Sequence, residues 1–276
     1  MNDILCSTGA LIGRPNNRDY TLLKPLSEQL HCDGFEFMMY SSWYDEAERL
    51  VDFLQQIHLR VPVMHCEKHI GQACASEEKK DLEEAVSLFR INCEIAKKLG
   101  ANRMVLHLWD GMVSDSHFAN NLRAYRRLQE TAEEYGIDIL VENVVCNCGD
   151  PMSHWCELRE AYPDIHFVFD TKMAAFHRQE ELLYRPEYDW LWRDGHIRHF
   201  HVNDYGGGYM EWGKLKTLPI GDGHVDFDQF FSFIRKIHYQ GSFTVEATAF
   251  GSDGAVDVEM LNRSFERIRG YLEAET

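Results

Sequence analysis

Ile137-Asp138-Ile139-Leu140-Val141-Glu142 is a short apolar run that ends on a carboxylate, and the same pattern returns three times further along the chain. His166–Phe169 leads into Asp170, Ile197–Phe200 into His201, and Phe243–Val245 into Glu246. Short runs rich in Val, Ile and Phe read as strands. Four of them, each ending on or beside a residue able to ligate a metal, imply one shared site built from four strand ends. In a parallel barrel those C-terminal ends are where the loops meet and chemistry happens. The stretch therefore points to a closed α/β barrel and to a metal enzyme.

Working outward, β-like runs alternate with charged, helix-periodic segments through the whole chain. Strands are expected near 3–7, 33–39, 61–66, 102–108, 137–143, 166–170, 197–203 and 242–247. Helices are expected near 20–31, 43–58, 77–99, 115–135, 151–161, 179–193, 227–239 and 256–273. Between Glu77 and Leu99, apolar Leu82, Ala85, Leu88, Phe89, Ile95 and Ala96 recur at steps of a helical face, and Gly100 supplies a stop. Gly136 closes the next helix in the same way. Parallel strands need crossover connections, and right-handed crossovers wind a sheet one way. Eight strand-helix repeats in 276 residues thus predict a single (β/α)8 TIM barrel, one domain over residues 1–276 with no proline- or serine-rich linker. An open doubly wound sheet is the alternative. Against it, Gly9 and Gly13 lack the G-x-G-x-x-G spacing, and no Walker-type phosphate loop occurs.

A formal charge of −17 offers no broad basic surface, which argues against nucleic acid as a partner. No stretch is long and apolar enough for a membrane span, and Met1-Asn2-Asp3-Ile4-Leu5-Cys6 lacks the pattern of an export signal. A cytoplasmic location is expected. The eight cysteines, at 6, 32, 66, 74, 93, 146, 148 and 156, then read as free thiols. Cys146-Asn147-Cys148 with Cys156 lacks the paired spacing of a structural zinc site.

Glu142, Asp170, His201 and Glu246 form a mixed oxygen and nitrogen ligand set suited to Mn2+, Co2+, Zn2+, Fe2+ or Mg2+. Converging buried carboxylates need a compensating charge, which a metal ion supplies. With Glu142 and Glu246 on strands five and eight, a substrate between them can lose a proton to one and regain it from the other. The ion would hold the developing enediolate oxygen.

Leu140-Val141-Glu142-Asn143, Phe169-Asp170-Thr171, His199-Phe200-His201-Val202-Asn203-Asp204, Pro219-Ile220-Gly221-Asp222-Gly223-His224 and Thr244-Val245-Glu246 carry a family likeness. The chain resembles, over nearly its whole length, the xylose-isomerase-like TIM barrels. These include sugar and sugar-phosphate isomerases and epimerases, inosose dehydratases and endonuclease-IV-like enzymes. The resemblance implies one divalent ion, Mn2+ favoured, on Glu142, Asp170, His201 and Glu246, with the two glutamates also acting as the acid/base pair. It implies that His65 and His107, at the ends of strands three and four, line the substrate pocket. Trp109 and other aromatics near the expected loops suit a sugar ring.

The pattern also departs from the family. Met173 stands where a histidine is common, Lys172 is placed to anchor a carboxylate or phosphate, and Gly206-Gly207-Gly208 replaces a frequent arginine region. His177 lies close to this stretch in sequence. The implied function is a metal-dependent isomerase or epimerase of carbohydrate metabolism acting on a sugar or sugar phosphate through an enediolate. Elimination from a keto-sugar, inosose or C-glycoside is the alternative chemistry, and a silent sugar-binding barrel the non-enzymatic one. A small carbohydrate is the expected partner, and assembly as a homo-oligomer is left open.

Overall fold

Strands covered on both faces need no polar side, and most of this chain's strands are accordingly largely apolar runs. In the computed structural model, which describes residues 2–274, eight of them run parallel and close a barrel in chain order. They are β1 (Ile4–Ser7), β2 (Gly34–Met38), β3 (Val63–His65), β4 (Arg103–Leu106), β5 (Asp138–Glu142), β6 (His166–Asp170), β7 (Ile197–His201) and β8 (Ser242–Val245). Pairing of β1 with β8, with Cys6 opposite Val245, closes the ring. The (β/α)8 TIM barrel expected from the sequence is the fold observed.

The helices are α1 (Leu23–Ser27), α2 (Ala47–Gln56), α3 (His69–Cys74), α4 (Lys79–Leu99), α5 (Phe118–Tyr135), α6 (Pro151–Ala161), α7 (Thr171–Phe176), α8 (Trp190–Arg193), α9 (Phe227–Lys236) and α10 (Val258–Glu273). Helix α4 buries Ala85, Phe89, Cys93 and Ala96 along one stripe, and Gly100 ends it at φ 81°, a left-handed conformation that suits glycine. Asp150, Asp226 and Asp257 cap α6, α9 and α10 by accepting the backbone N–H three residues on. Each such cap stabilises its helix by about 1 kcal/mol.

One expected helix is broken. Over 179–193 the chain forms two 3-10 turns, Glu180–Tyr184 and Pro186–Tyr188, and becomes α-helical only in α8. Pro186 is the cause, because the residue before proline is pushed out of the helical region; Arg185 sits at φ −81°, ψ 139°. The short helices α3 and α7, inserted just after β3 and β6, were not expected from periodicity.

The chain packs as two compact units. One comprises residues up to Glu36 and from Phe169 onward, and the other Phe37–Val168, so the divisions fall inside β2 and β6. The first is cored by Phe200, Phe230, Phe231, Phe243 and Phe265, with the Phe200 and Phe243 rings stacked at 5.7 Å. The second is cored by Phe89, Leu128, Trp155 and Phe167, with Trp155 stacked on Phe167 at 4.4 Å. All eight cysteines are free thiols. Among the described residues no helix is long and apolar enough to cross a membrane.

Candidate metal centre

In the first unit, the ends of β6, β7 and β8 bring three of the expected ligands together. His201 Nδ1 lies 3.3 Å from Glu246 Oε2 and 3.9 Å from Asp170 Oδ2. Asn203, one strand period beyond His201, donates from Nδ2 to Asp170 Oδ2 (2.9 Å) and to Glu246 Oε2 (3.2 Å), while its Oδ1 accepts the Glu246 backbone N–H at 2.9 Å. The Thr171 hydroxyl donates to the Asn203 carbonyl (2.6 Å) and accepts the Asn203 N–H (3.0 Å), which latches the start of α7 to the segment after β7. Asp170 also caps α7 through the Met173 N–H. Two carboxylates and one imidazole nitrogen, each atom within 4.8 Å of the others, form a donor set of hard oxygens and a borderline nitrogen. Such a set fits one divalent cation, and the cation would offset the repulsion between the two acids.

Behind His201 stands Glu36, a charge in the middle of the otherwise apolar β2 and fully buried. Its Oε2 accepts from His199 Nε2 (3.0 Å), His201 Nε2 (3.1 Å) and the Thr244 hydroxyl (2.9 Å). Burial pushes the Glu36 carboxyl up, but His201 and His199 outweigh it and hold the group well below the usual carboxylate range. With Nε2–H of His201 committed to Glu36, Nδ1 carries the lone pair that faces Asp170 and Glu246.

In the second unit, Glu142 at the end of β5 meets the two histidines expected at the ends of β3 and β4. His107 Nε2 lies 2.7 Å from Glu142 Oε2 and His65 Nε2 lies 3.6 Å from it. His65 is oriented by its Nδ1 contact with the Cys66 carbonyl (2.8 Å), and His107 Nδ1 lies 3.4 Å from Asp110 Oδ1. Burial alone would depress the His107 pKa; the Glu142 carboxylate, with Asp110, overcomes it and raises the group above the ordinary histidine value. Trp109 is fully buried, its indole N–H given to the Val144 carbonyl at 3.0 Å, so it buttresses the loop that follows Glu142.

That loop has a second brace. Buried Asp115 accepts the backbone N–H groups of Asn147 (2.7 Å), Cys148 (2.9 Å) and Gly149 (2.6 Å), and pairs with His154 Nε2 at 3.0 Å. Desolvation opposes its ionisation, yet the His154 bond and the three amides win and hold its carboxyl well below the usual range. Cys146 lies within ligand reach of Asp115 and His154, but those side chains are already joined in a hydrogen-bonded clamp.

Lys172 is buried in α7 and donates from Nζ to the Thr217 hydroxyl at 3.1 Å. His177 is buried at the end of the same helix against Phe176. In the glycine-rich turn, Asp204 accepts the N–H groups of Gly221, Gly223 and Val225, and His224 meets the Gly207 carbonyl, so both shape the turn. Glu36 and Asp115 have no part in the sequence reading, and Asn203 and Thr171 enter it only within the family motifs, with no role of their own. A lone acid within an apolar strand is the signal that marks Glu36, and the two-residue step from His201 marks Asn203.

Known proteins share this architecture. L-ribulose 3-epimerase of Methylomonas sp. (strain DH-1) is 24% identical over 245 residues, covering 83% of this chain and 78% of that protein. A solved L-ribulose 3-epimerase superposes with a TM-score of 0.72 at 15% identity, over 99% of this chain and 95% of that one. D-psicose 3-epimerase from Clostridium cellulolyticum H10, solved with D-tagatose, gives a TM-score of 0.72 at 13% identity, over 99% and 100% of the two chains. The family model described as xylose isomerase-like TIM barrel matches residues 26–267, and the chain belongs to that family.

Proposed function

We propose that the chain is a divalent-metal-dependent sugar epimerase or isomerase, in which Glu142, Asp170, His201 and Glu246 hold one ion, Mn2+ favoured. The observation that carries this reading is the convergence of His201 Nδ1 on the Asp170 and Glu246 carboxylates, with Asn203 bridging the two acids. The strand register supports the fourth ligand. Glu142 pairs with Val168, two residues before Asp170, so alternation along β6 turns both acids to the same barrel face. Relatives of the chain that bear names of sugar 3-epimerases support the substrate class.

When bound, the ion would supply Lewis acidity that favours an enediolate over the keto sugar. The chain's own groups move the proton. One of Glu142 and Glu246 removes it from the carbon beside the carbonyl, and the other returns it from the opposite side, which inverts that centre. His107, 2.7 Å from Glu142 Oε2 through Nε2 and 3.4 Å from Asp110 through Nδ1, holds that carboxylate in place. His65 completes the wall, while Trp109, fully buried with its N–H already used, braces the loop after Glu142 and presents no surface to a sugar.

The test is solvent exchange. Protein loaded with Mn2+ should place deuterium from D2O on the carbon next to the keto group of a ketose, read by proton NMR. Glu142→Gln and Glu246→Gln should each lower the rate by at least about 100-fold. A glutamine variant with full exchange would overturn the assignment. Sugar binding with no deuterium uptake would indicate a silent barrel, and loss of water or an aglycone would indicate elimination.

A further inference from the structure

We infer that the substrate carries a carboxylate, and that Lys172 with Thr217 receives it; this rests on the sugar-epimerase reading and names its substrate class. Lys172 is only 7% exposed, and a buried ammonium is costly unless an anion compensates it. Among the described residues it forms no ion pair, and its hydrogen bond goes to a neutral hydroxyl, that of Thr217. An ammonium has three donors, and one hydroxyl satisfies one of them. A tether between α7 and the Thr217 segment would need no charge, since an apolar side chain of the same length fills the same volume.

The amine also stands in a telling place. Lys172 follows the ligand Asp170 by two residues. Thr217 is tied by its carbonyl to the Thr248 N–H at 3.3 Å, and Thr248 follows Glu246 by two residues. The ammonium therefore lies among the segments that follow β6, β7 and β8, which carry on from three of the proposed ligands. One ammonium and one hydroxyl match the two oxygens of a carboxylate. A phosphate dianion would call for a second cation, and among the described residues Lys172 is the one cation bonded to the Thr217 hydroxyl.

Two measurements separate this inference from the reading beneath it. The first needs no turnover: D-galacturonate should raise the Tm of the protein in a dose-dependent way where D-galactose does not, and Lys172→Met should lose that response. An equal response to both sugars, or one retained in Lys172→Met, would overturn the carboxylate site even if neutral ketoses exchange deuterium. The second compares deuterium exchange for a keto-hexuronate, a ketohexose phosphate and a neutral ketohexose. The keto-hexuronate should lead in kcat/KM by about tenfold or more, and Lys172→Met should collapse that preference. A lead by the phosphate ester or by the neutral sugar would overturn the assignment. Exchange with none of them, alongside a galacturonate response lost in Lys172→Met, would sink the epimerase reading and leave the anion site standing.

Discussion

Glu36 Oε2 lies 3.1 Å from His201 Nε2, and the opposite nitrogen of that ring faces Glu246 Oε2 at 3.3 Å. A carboxylate behind the ring selects the tautomer and fixes the angle at which the lone pair is presented. Glu36→Gln keeps the shape but loses the charge. Mn2+ affinity should fall about 10- to 100-fold, read by calorimetric titration. An unchanged affinity would show that His201 needs no such partner.

Asn203 keeps Asp170 and Glu246 apart and aimed at one point. In Asn203→Ala the two acids lose their shared donor and the Glu246 N–H loses its acceptor. Folding stability without metal should drop by about 1–3 kcal/mol, measured by urea unfolding. Saturating Mn2+ should recover part of the loss, because a cation between the acids replaces the amide. Equal losses with and without the ion would separate Asn203 from the metal centre.

Much of this was readable before the fold was known. The four strand-end polar residues proposed as ligands follow from apolar runs that stop on polar residues, a local pattern that burial imposes. Helix α4 and its glycine stop were equally plain. Asn203 and Glu36 were harder, because a residue on a strand or just past its end reveals its partners only when neighbouring strands are in register. Asp115 gives no local signal at all: its partners Asn147, Cys148 and Gly149 lie more than thirty residues away. The helix expected over 179–193 failed because a single proline outweighs helical periodicity around it.

Acid should weaken the loop after β5. The folded-state pKa of Asp115 is depressed from the ordinary 3.8, so its contribution is fully present above that value. It is lost as pH falls toward the folded-state value. Urea midpoints between about pH 6 and pH 2 should therefore fall less steeply in Asp115→Asn than in the parent protein, on a lower starting stability. Parallel curves would show that Asp115 does not supply the acid sensitivity.

Gly71 in α3 packs against the backbone at the end of β4. A Cβ there would stand 1.8 Å from the His107 carbonyl oxygen and 2.9 Å from its carbon, both parts of the main chain. Neither can swing aside as a side-chain tip would. Gly71→Ala should cost about 1–3 kcal/mol, seen as a Tm lowered by several degrees, and should shift His107 relative to Glu142. A Tm within a degree of the parent would mean that α3 yields easily.

The latch between the Thr171 hydroxyl and both backbone groups of Asn203 ties a side chain of one segment to the main chain of another, and each segment bears a proposed ligand. Ligand spacing there is set by the scaffold and not by the long loop that continues through Gly206–Gly208. That loop is consequently free to be rewritten over evolutionary time. A barrel so built can change what its loops touch while the spacing of its strand-end groups stays in place.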